Sequence, residues 1–180
     1  KACAMLPAPL PVRQGLYDPA NEHDACGVAF VVDVAGRPSH DLVEQGLTAL
    51  RNLEHRGASG SEPETGDGAG ILVQVPDAFY RAVLPVELPP AGSYAVGTAF
   101  LPGDEGQVTK TRRRIEEIAA EEGLTVLGWR EVPTEPDGLG QMALGVMPSF
   151  VQLFVSGAGT RVTGMALERL AFCLRKRAER

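Results

Sequence analysis

The chain has 180 residues, a hydrophobic fraction of 44% and a formal net charge of −6. Those values suit a folded domain with one core and exclude a disordered tail. The acidic balance argues against nucleic acid as a partner, because phosphate contacts need a basic surface, and no apolar run approaches the roughly 20 residues of a membrane span.

Residues 1–25 carry four prolines, at 7, 9, 11 and 19, and little periodicity. They read as an extended leader. Asp24-Ala25-Cys26-Gly27-Val28-Ala29-Phe30-Val31-Val32 follows. A thiol opening a short apolar run predicts a buried strand from Gly27 to Asp33, turning at Ala35-Gly36.

Ser39 has the chemistry of a helix N-cap, with Asp41 and Glu44 where the helix dipole favours anions. Leu42, Val43, Leu47, Leu50 and Leu53 recur at helical spacing, and the helix is expected to stop near His55, ahead of Gly57. Residues 57–70 read as a glycine-rich loop leading into a strand over Ile71–Val75. A short helix is predicted from Pro76-Asp77 through Leu84, before Pro85, Pro89 and Pro90 break the chain.

Tyr94–Leu101 reads as a strand. A helix from Val108 to Glu122, capped by Asp104 or Thr109, buries Ile115, Ile118 and Ala119 and ends at Gly123. Leu124–Val132 is the next strand. Gln141–Met147 and Gln152–Val155 are predicted as further strand pieces. Met165–Ala178 is a closing amphipathic helix with Leu167, Leu170, Ala171 and Leu174 on one side. This alternation fits an α/β or an α+β domain, and periodicity does not choose between them.

The cysteines are Cys3, Cys26 and Cys173. No two form a Cys-x-x-Cys pair, so no metal site is predicted. A sparse, odd set suggests a reducing compartment, and no secretory pattern opens the chain, so a cytoplasmic setting is expected. The first residue is Lys1, and the chain is read as a piece of something longer.

The thiol of Cys26 has an ordinary pKa of about 8.5 and needs a base to become a nucleophile. Cleavage of the Ala25–Cys26 bond supplies one. The freed α-amino group, with a pKa of roughly 7.7–8.0, accepts the thiol proton directly or through water. Composition alone favours the plainer alternative, a small buried hydrophobe at a strand start.

Neighbouring stretches shift that balance. Glu22-His23-Asp24-Ala25-Cys26-Gly27-Val28-Ala29-Phe30, Pro38-Ser39-His40, Leu53-Glu54-His55-Arg56-Gly57-Ala58 and Thr65-Gly66-Asp67-Gly68-Ala69-Gly70-Ile71-Leu72 resemble, in order and spacing, the start of the large subunit of bacterial glutamate synthases. Gly128-Trp129-Arg130-Glu131-Val132-Pro133 resembles a later segment of the same domain, and the resemblance covers most of residues 17–180. It implies a class II glutamine amidotransferase of the N-terminal nucleophile (Ntn) hydrolase type. Its fold is α+β, a four-layer αββα sandwich, incomplete within these residues. Residues 1–25 are then a propeptide and 26–180 the N-terminal portion of the amidotransferase domain.

Carried over residue by residue, Cys26 is the nucleophile, the cleavage point lies between Ala25 and Cys26, and Arg56 and Gly57 line the substrate site. His55 is as well explained by a helix end. His23 and Asp24 belong to the leader. The family's chemistry is attack on L-glutamine, loss of ammonia, and hydrolysis of a thioester to glutamate. Ammonia then passes to a synthase region that makes glutamate from 2-oxoglutarate. That region carries the FMN and 3Fe-4S cluster the family implies, and no cofactor is expected in this chain. The expected partners are glutamine, the rest of the large subunit and an NADPH-oxidising small subunit.

Thr65-Gly66-Asp67-Gly68-Ala69-Gly70 lacks the Lys-Ser/Thr of a Walker loop and leads into a predicted strand, so neither a phosphate loop nor a dinucleotide site is expected. Arg112-Arg113-Arg114 and Arg175-Lys176-Arg177 read as solvated helix faces. The family's oxyanion Asn-Gly pair and its Arg-Phe-Ser-Thr-like carboxylate site are absent from these residues, so residues 1–180 alone are not expected to turn over glutamine. The alternatives are a non-catalytic glutaminase-like interaction module and another class II amidotransferase, such as one feeding amino-sugar or purine synthesis.

Overall fold

Two units divide the chain, residues 1–71 and 72–180. The computed structural model describes residues 12–15, 18, 27–54, 62, 64–66, 68–159 and 162–180.

In the first unit, helix α1 runs from His40 to Asn52. Ser39 caps it as predicted, its Oγ accepting from the Asp41 amide at 3.1 Å. Asp41 in the first turn and Arg51 in the last complement the helix dipole. Leu42, Val43, Leu47 and Leu50 are half-buried along one side. The turn at Ala35-Gly36 also forms. Gly36 sits at φ +68, where a side chain would be strained, and its amide donates to the Asp33 carbonyl at 2.9 Å.

The strand expected over Gly27–Asp33 does not form, and neither does the one over Ile71–Val75. Both runs lack a ladder, and their side chains stand in solvent, Phe30 at 88% exposure. An apolar run becomes a strand only where a partner takes its amides and carbonyls and covers its side chains. Among the described residues these runs have no such partner.

The second unit is built on a three-stranded antiparallel sheet of β1 (Tyr94–Leu101), β2 (Leu124–Glu131) and β3 (Ser149–Gly157), in the order β1-β3-β2. β3 is central. It pairs Tyr94↔Ser156 through Leu101↔Ser149 on one side and Leu124↔Gly157 through Glu131↔Val151 on the other, with a bulge between Val126 and Gly128. One face carries α3 (Glu105–Glu121) and α5 (Gly164–Ala178). The core between them includes Ile118, Ala119, Val151, Val155, Leu167 and Leu174, all buried. Asp104 is the N-cap of α3, its carboxylate accepting from the Gln107 amide at 2.8 Å, so the helix opens ahead of the expected Val108. Gly123, at φ +74, follows its end.

The other face is covered at one end by α2 (Asp77–Val83). Tyr80, Leu88, Tyr94 and Phe154 form a second, smaller core there. The strand expected over Gln141–Met147 is instead helix α4 (Gln141–Val146). Gln, Met, Ala and Leu are good helix formers, and the sheet adds no fourth strand among the described residues to recruit them. The content is therefore α+β, a small antiparallel sheet with α3 and α5 packed on one of its faces.

Candidate functional site

Ala25, Cys26, Arg56 and Gly57 lie outside the described residues, as do His23, Asp24 and His55. Their surroundings in the chain are described. Gly27 to Val32 follows the Cys26 position without regular secondary structure, and a turn at Asp33–Gly36 comes next. That turn is held by the Asp33 carboxylate, which accepts from the Ala35 amide at 2.6 Å and from Arg37 Nε at 3.0 Å. α1 then carries the chain to Leu53 and Glu54, directly before the His55-Arg56-Gly57 segment. The Leu53 amide closes the helix on the Ala49 and Leu50 carbonyls at 3.1 and 3.0 Å. Further on, the Thr65 hydroxyl donates to the Glu62 carboxylate and its amide to the Glu62 carbonyl at 2.9 Å, shaping the entry to Gly66.

In the second unit the Gly128–Pro133 segment forms most of β2 beyond its bulge, and its side chains divide between the two faces. On the helical face, the Arg112 guanidinium lies 5.2 Å from the Trp129 ring centroid and pairs with Glu131. Trp129 Nε1 donates to Glu116 at 2.8 Å. On the opposite face, Arg130 Nη1 donates to Gln152 Oε1 at 3.0 Å, and Gln152 Nε2 donates to the Tyr80 hydroxyl at 3.0 Å. The Arg130 guanidinium also sits 5.4 Å from the Phe79 ring centroid.

Sequence reasoning placed Arg130 in a characteristic segment but missed Gln152 and Tyr80. Gln152 lies 22 positions from Arg130 and 72 from Tyr80, and only the β2–β3 register and the docking of α2 bring them together. Of the two basic runs, Arg113, Arg114, Arg175 and Lys176 are exposed as expected, whereas Arg112 and Arg177 are half-buried. Arg112 stacks on Trp129, and Arg177 bridges α5 to Glu121 and Glu122 at the end of α3. Those hydrogen bonds raise the Arg177 pKa, and the bond from Arg177 lowers that of Glu121.

Beside this network, Arg81 donates to both Asp77 oxygens and to the Leu88 and Pro89 carbonyls, tying α2 to the Pro-rich turn behind it. The bond from Arg81 holds the Asp77 carboxyl below its ordinary range. Burial, then the bond to Asp77, pushes the Tyr94 hydroxyl up to about 12.

Among the described residues no group of three or more His, Cys, Asp or Glu side chains is placed to hold a metal ion, and no helix is long and apolar enough to cross a membrane. No role here is assigned to a flavin or an iron–sulfur cluster.

The family model described as "Glutamine amidotransferases class-II" matches residues 26–180. The chain is 41% identical over 171 residues to "Glutamate synthase [NADPH] large chain" of Bacillus subtilis, covering 94% of this chain and 11% of that protein. It is 41% identical over 151 residues to "Glutamate synthase [NADH]" of Saccharomyces cerevisiae, covering 79% and 7%. To "Ferredoxin-dependent glutamate synthase 2" of a Synechocystis strain it is 41% identical over 140 residues, covering 75% and 9%. The chain thus spans only 7–11% of the length of these relatives.

Proposed function

The chain belongs to the class II glutamine amidotransferases, and from that premise we propose that it is the start of the glutaminase domain of a glutamate synthase large subunit, with Cys26 as nucleophile. The observation that carries this reading is where the family match begins. It opens on Cys26 and runs to residue 180, leaving residues 1–25 in front of it. A cysteine at the first matched position is what a nucleophile freed by removal of a leader requires.

The chemistry follows from that position. Hydrolysis of the Ala25–Cys26 bond turns an amide nitrogen, which is not basic, into an amine with a pKa of roughly 7.7–8.0. The amine takes the thiol proton, and the sulfur attacks the side-chain carbonyl carbon of glutamine. The C–N bond breaks, the nitrogen leaves as ammonia carrying the transferred proton, and a γ-glutamyl thioester remains. Water cleaves the thioester, giving glutamate and the free thiol. Arg56 and Gly57, just beyond the end of α1, line the substrate pocket in this scheme.

The reading extends to the four-layer sandwich, in which the three-stranded sheet and its cover of α3 and α5 form two adjacent layers. Ammonia then serves glutamate formation from 2-oxoglutarate in a region of the longer enzyme that carries FMN and a 3Fe-4S cluster, in a cytoplasmic setting. The relatives' names differ in electron donor, so none is assigned, and a reductase partner is left open.

The test is made on the full-length enzyme. Cys26→Ser is expected to lower glutamine-dependent ammonia release by at least about 10³-fold while synthesis from added ammonia persists. Unchanged glutaminase activity overturns the proposal. Loss of glutamine hydrolysis on removing the thiol also separates it from an inert module of the same shape.

A further inference from the structure

Gln14 and Gly66 are each held in an isolated β-bridge, and no other described residue is. A bridge takes two residues. The three strands of the sheet pair only with one another, so neither of these bridges is made to the sheet. Gln14 and Gly66 also belong to the same unit, residues 1–71. One stands ahead of Cys26, in residues 1–25, and the other in the glycine-rich stretch Thr65–Gly70.

Each of the two is set up by its own neighbours. Gly15 follows Gln14 at φ +57, a left-handed conformation that turns the chain. Arg13 and Asp18 pair across that turn at 3.4 Å. Such an exposed pair adds little stability, but it marks where the chain folds back. On the other side, the Thr65 amide donates to the Glu62 carbonyl at 2.9 Å and its hydroxyl to the Glu62 carboxylate, directly before Gly66. A glycine at that point lets a second backbone approach with no side chain in the way.

From these bridges we infer that Gln14 and Gly66 are the two halves of one, which anchors the leader to the glycine-rich loop and lets go once the Ala25–Cys26 bond is cut. The release rests on the cleavage proposed above; the anchor does not. In the cut, water adds across the peptide bond, leaving a carboxylate on Ala25 and an amine on Cys26. Before it, the tether presents Gln14 to Gly66 at an effective concentration on the order of millimolar. A lone bridge supplies about two hydrogen bonds at most, each modest once exchanged against water. After the cut, at micromolar enzyme, the leader is diluted about 100–1,000-fold and the bridge no longer holds it. Gly66 then loses its partner and the loop loosens. One hydrolysis thus makes two changes, a free amine at Cys26 and a freed loop at Gly66.

The experiment places Gln14→Cys and Gly66→Cys in the full-length enzyme, with Cys3→Ser to remove the leader's own thiol, and treats it with oxidised glutathione. Residues facing across a bridge have Cα atoms about 4.5–5.5 Å apart, within disulfide reach. Peptide mapping by mass spectrometry is expected to find the 14–66 disulfide at least about 10-fold above that of Gln14→Cys with Val34→Cys, a 99% exposed position of the same unit. Gly15→Val should lower the yield, because it strains the turn although nothing lies within 4 Å of the Gly15 Cβ position. After cleavage the linked leader stays attached, and dithiothreitol should free it and speed amide exchange over residues 64–70. Equal linkage of the two pairs overturns the anchor. Unchanged exchange on release overturns the freed loop, as does a synthetic peptide of residues 1–25 that binds the cleaved enzyme at micromolar concentration. If Gly66→Cys unfolds the chain, seen as fast exchange over His40–Asn52, Gln14→Cys with Thr65→Cys spares the glycine, and linkage no greater than the Val34 control overturns the inference. Linkage is read with or without cleavage and whatever the role of Cys26, so this inference and the proposed activity fail separately.

Discussion

The Tyr94 hydroxyl donates to Asp77 Oδ1 at 3.0 Å, joining the first residue of β1 to the first residue of α2. Asp77 is held at the same time by Arg81. The tyrosine must be protonated for this bond, and its folded-state pKa is raised from the ordinary 10.0 to about 12. A raised folded pKa means that the stabilisation is fully present below about pH 10 and is lost as pH climbs through about 12. Tyr94→Phe is expected to cost about 1 kcal/mol near neutrality. It should also flatten the fall in stability between about pH 10 and 12. Urea unfolding at several pH values checks both. The acidic limb runs the other way, because the Asp77 pKa is lowered. Its contribution is present above the ordinary carboxylate value and is lost as pH falls through the folded one.

Two strand glycines give opposite outcomes for one substitution. A Cβ on Gly157 would meet Val162 Cβ at 2.3 Å, Val162 Cγ1 at 2.8 Å and the Val162 carbonyl oxygen at 3.1 Å. β3 and the segment leading to α5 have no slack there, so Gly157→Ala is expected to destabilise by about 1–3 kcal/mol. A Cβ on Gly97 of β1 meets nothing within 4 Å. Gly97→Ala is expected to change stability by no more than about 0.5 kcal/mol. Thermal melting of the two variants side by side is the check, and equal losses would show that the close approach at Val162 is not a constraint.

What the sequence made legible, and what it did not, divides by the range of the interactions involved. Ser39, Asp104 and Gly123 announce helix ends through bonds to residues two or three positions away, so α1 and α3 were legible, although α3 opens at Glu105 instead of Val108 and α1 ends at Asn52 instead of near His55. β1 was read to the residue, because Ser93 and Pro102 flank a run of strand formers. The Gly27–Asp33 and Ile71–Val75 runs carry the same local signal and form no strand, because pairing depends on what lies across from them. Gln141–Met147 misled for the same reason, and its helix formers prevailed. Arg130 was legible as part of a characteristic segment. Its partners Gln152 and Tyr80 were not, since no local pattern encodes a contact made across a sheet.

Gly46 lies inside α1, where glycine loses more backbone freedom on folding than alanine. A Cβ there would rest 4.0 Å from Ile71 Cγ2, an ordinary van der Waals contact. Gly46→Ala is therefore expected to stabilise the helix by about 0.5–1 kcal/mol. Slower amide exchange across His40–Asn52, read by mass spectrometry, is the measurement. Faster exchange would mean that the space beside Gly46 is needed for something else.

The proposed nucleophile carries a pH signature that a plain active-site thiol lacks. With Ala25 attached, the nitrogen of Cys26 is an amide and cannot accept a proton. With Ala25 removed it is an amine whose neutral form is the base, so glutaminase kcat/KM in the full-length enzyme should rise with pH through about 7.7–8.0. The active enzyme should begin at Cys26 by intact mass. A form that retains one residue before Cys26 should lose both the activity and the limb, while Cys26→Ser should keep the cleaved start but lose the rate. Equal activity with and without the preceding residue would require a base elsewhere. Such a base would have to come from another side chain brought to the thiol, and His55 is the neighbour in sequence outside the leader whose replacement by Gln would then be tried. The free amine is preferred because it needs no such approach: it is covalently part of the nucleophile's own residue, two bonds from the carbon that carries the sulfur.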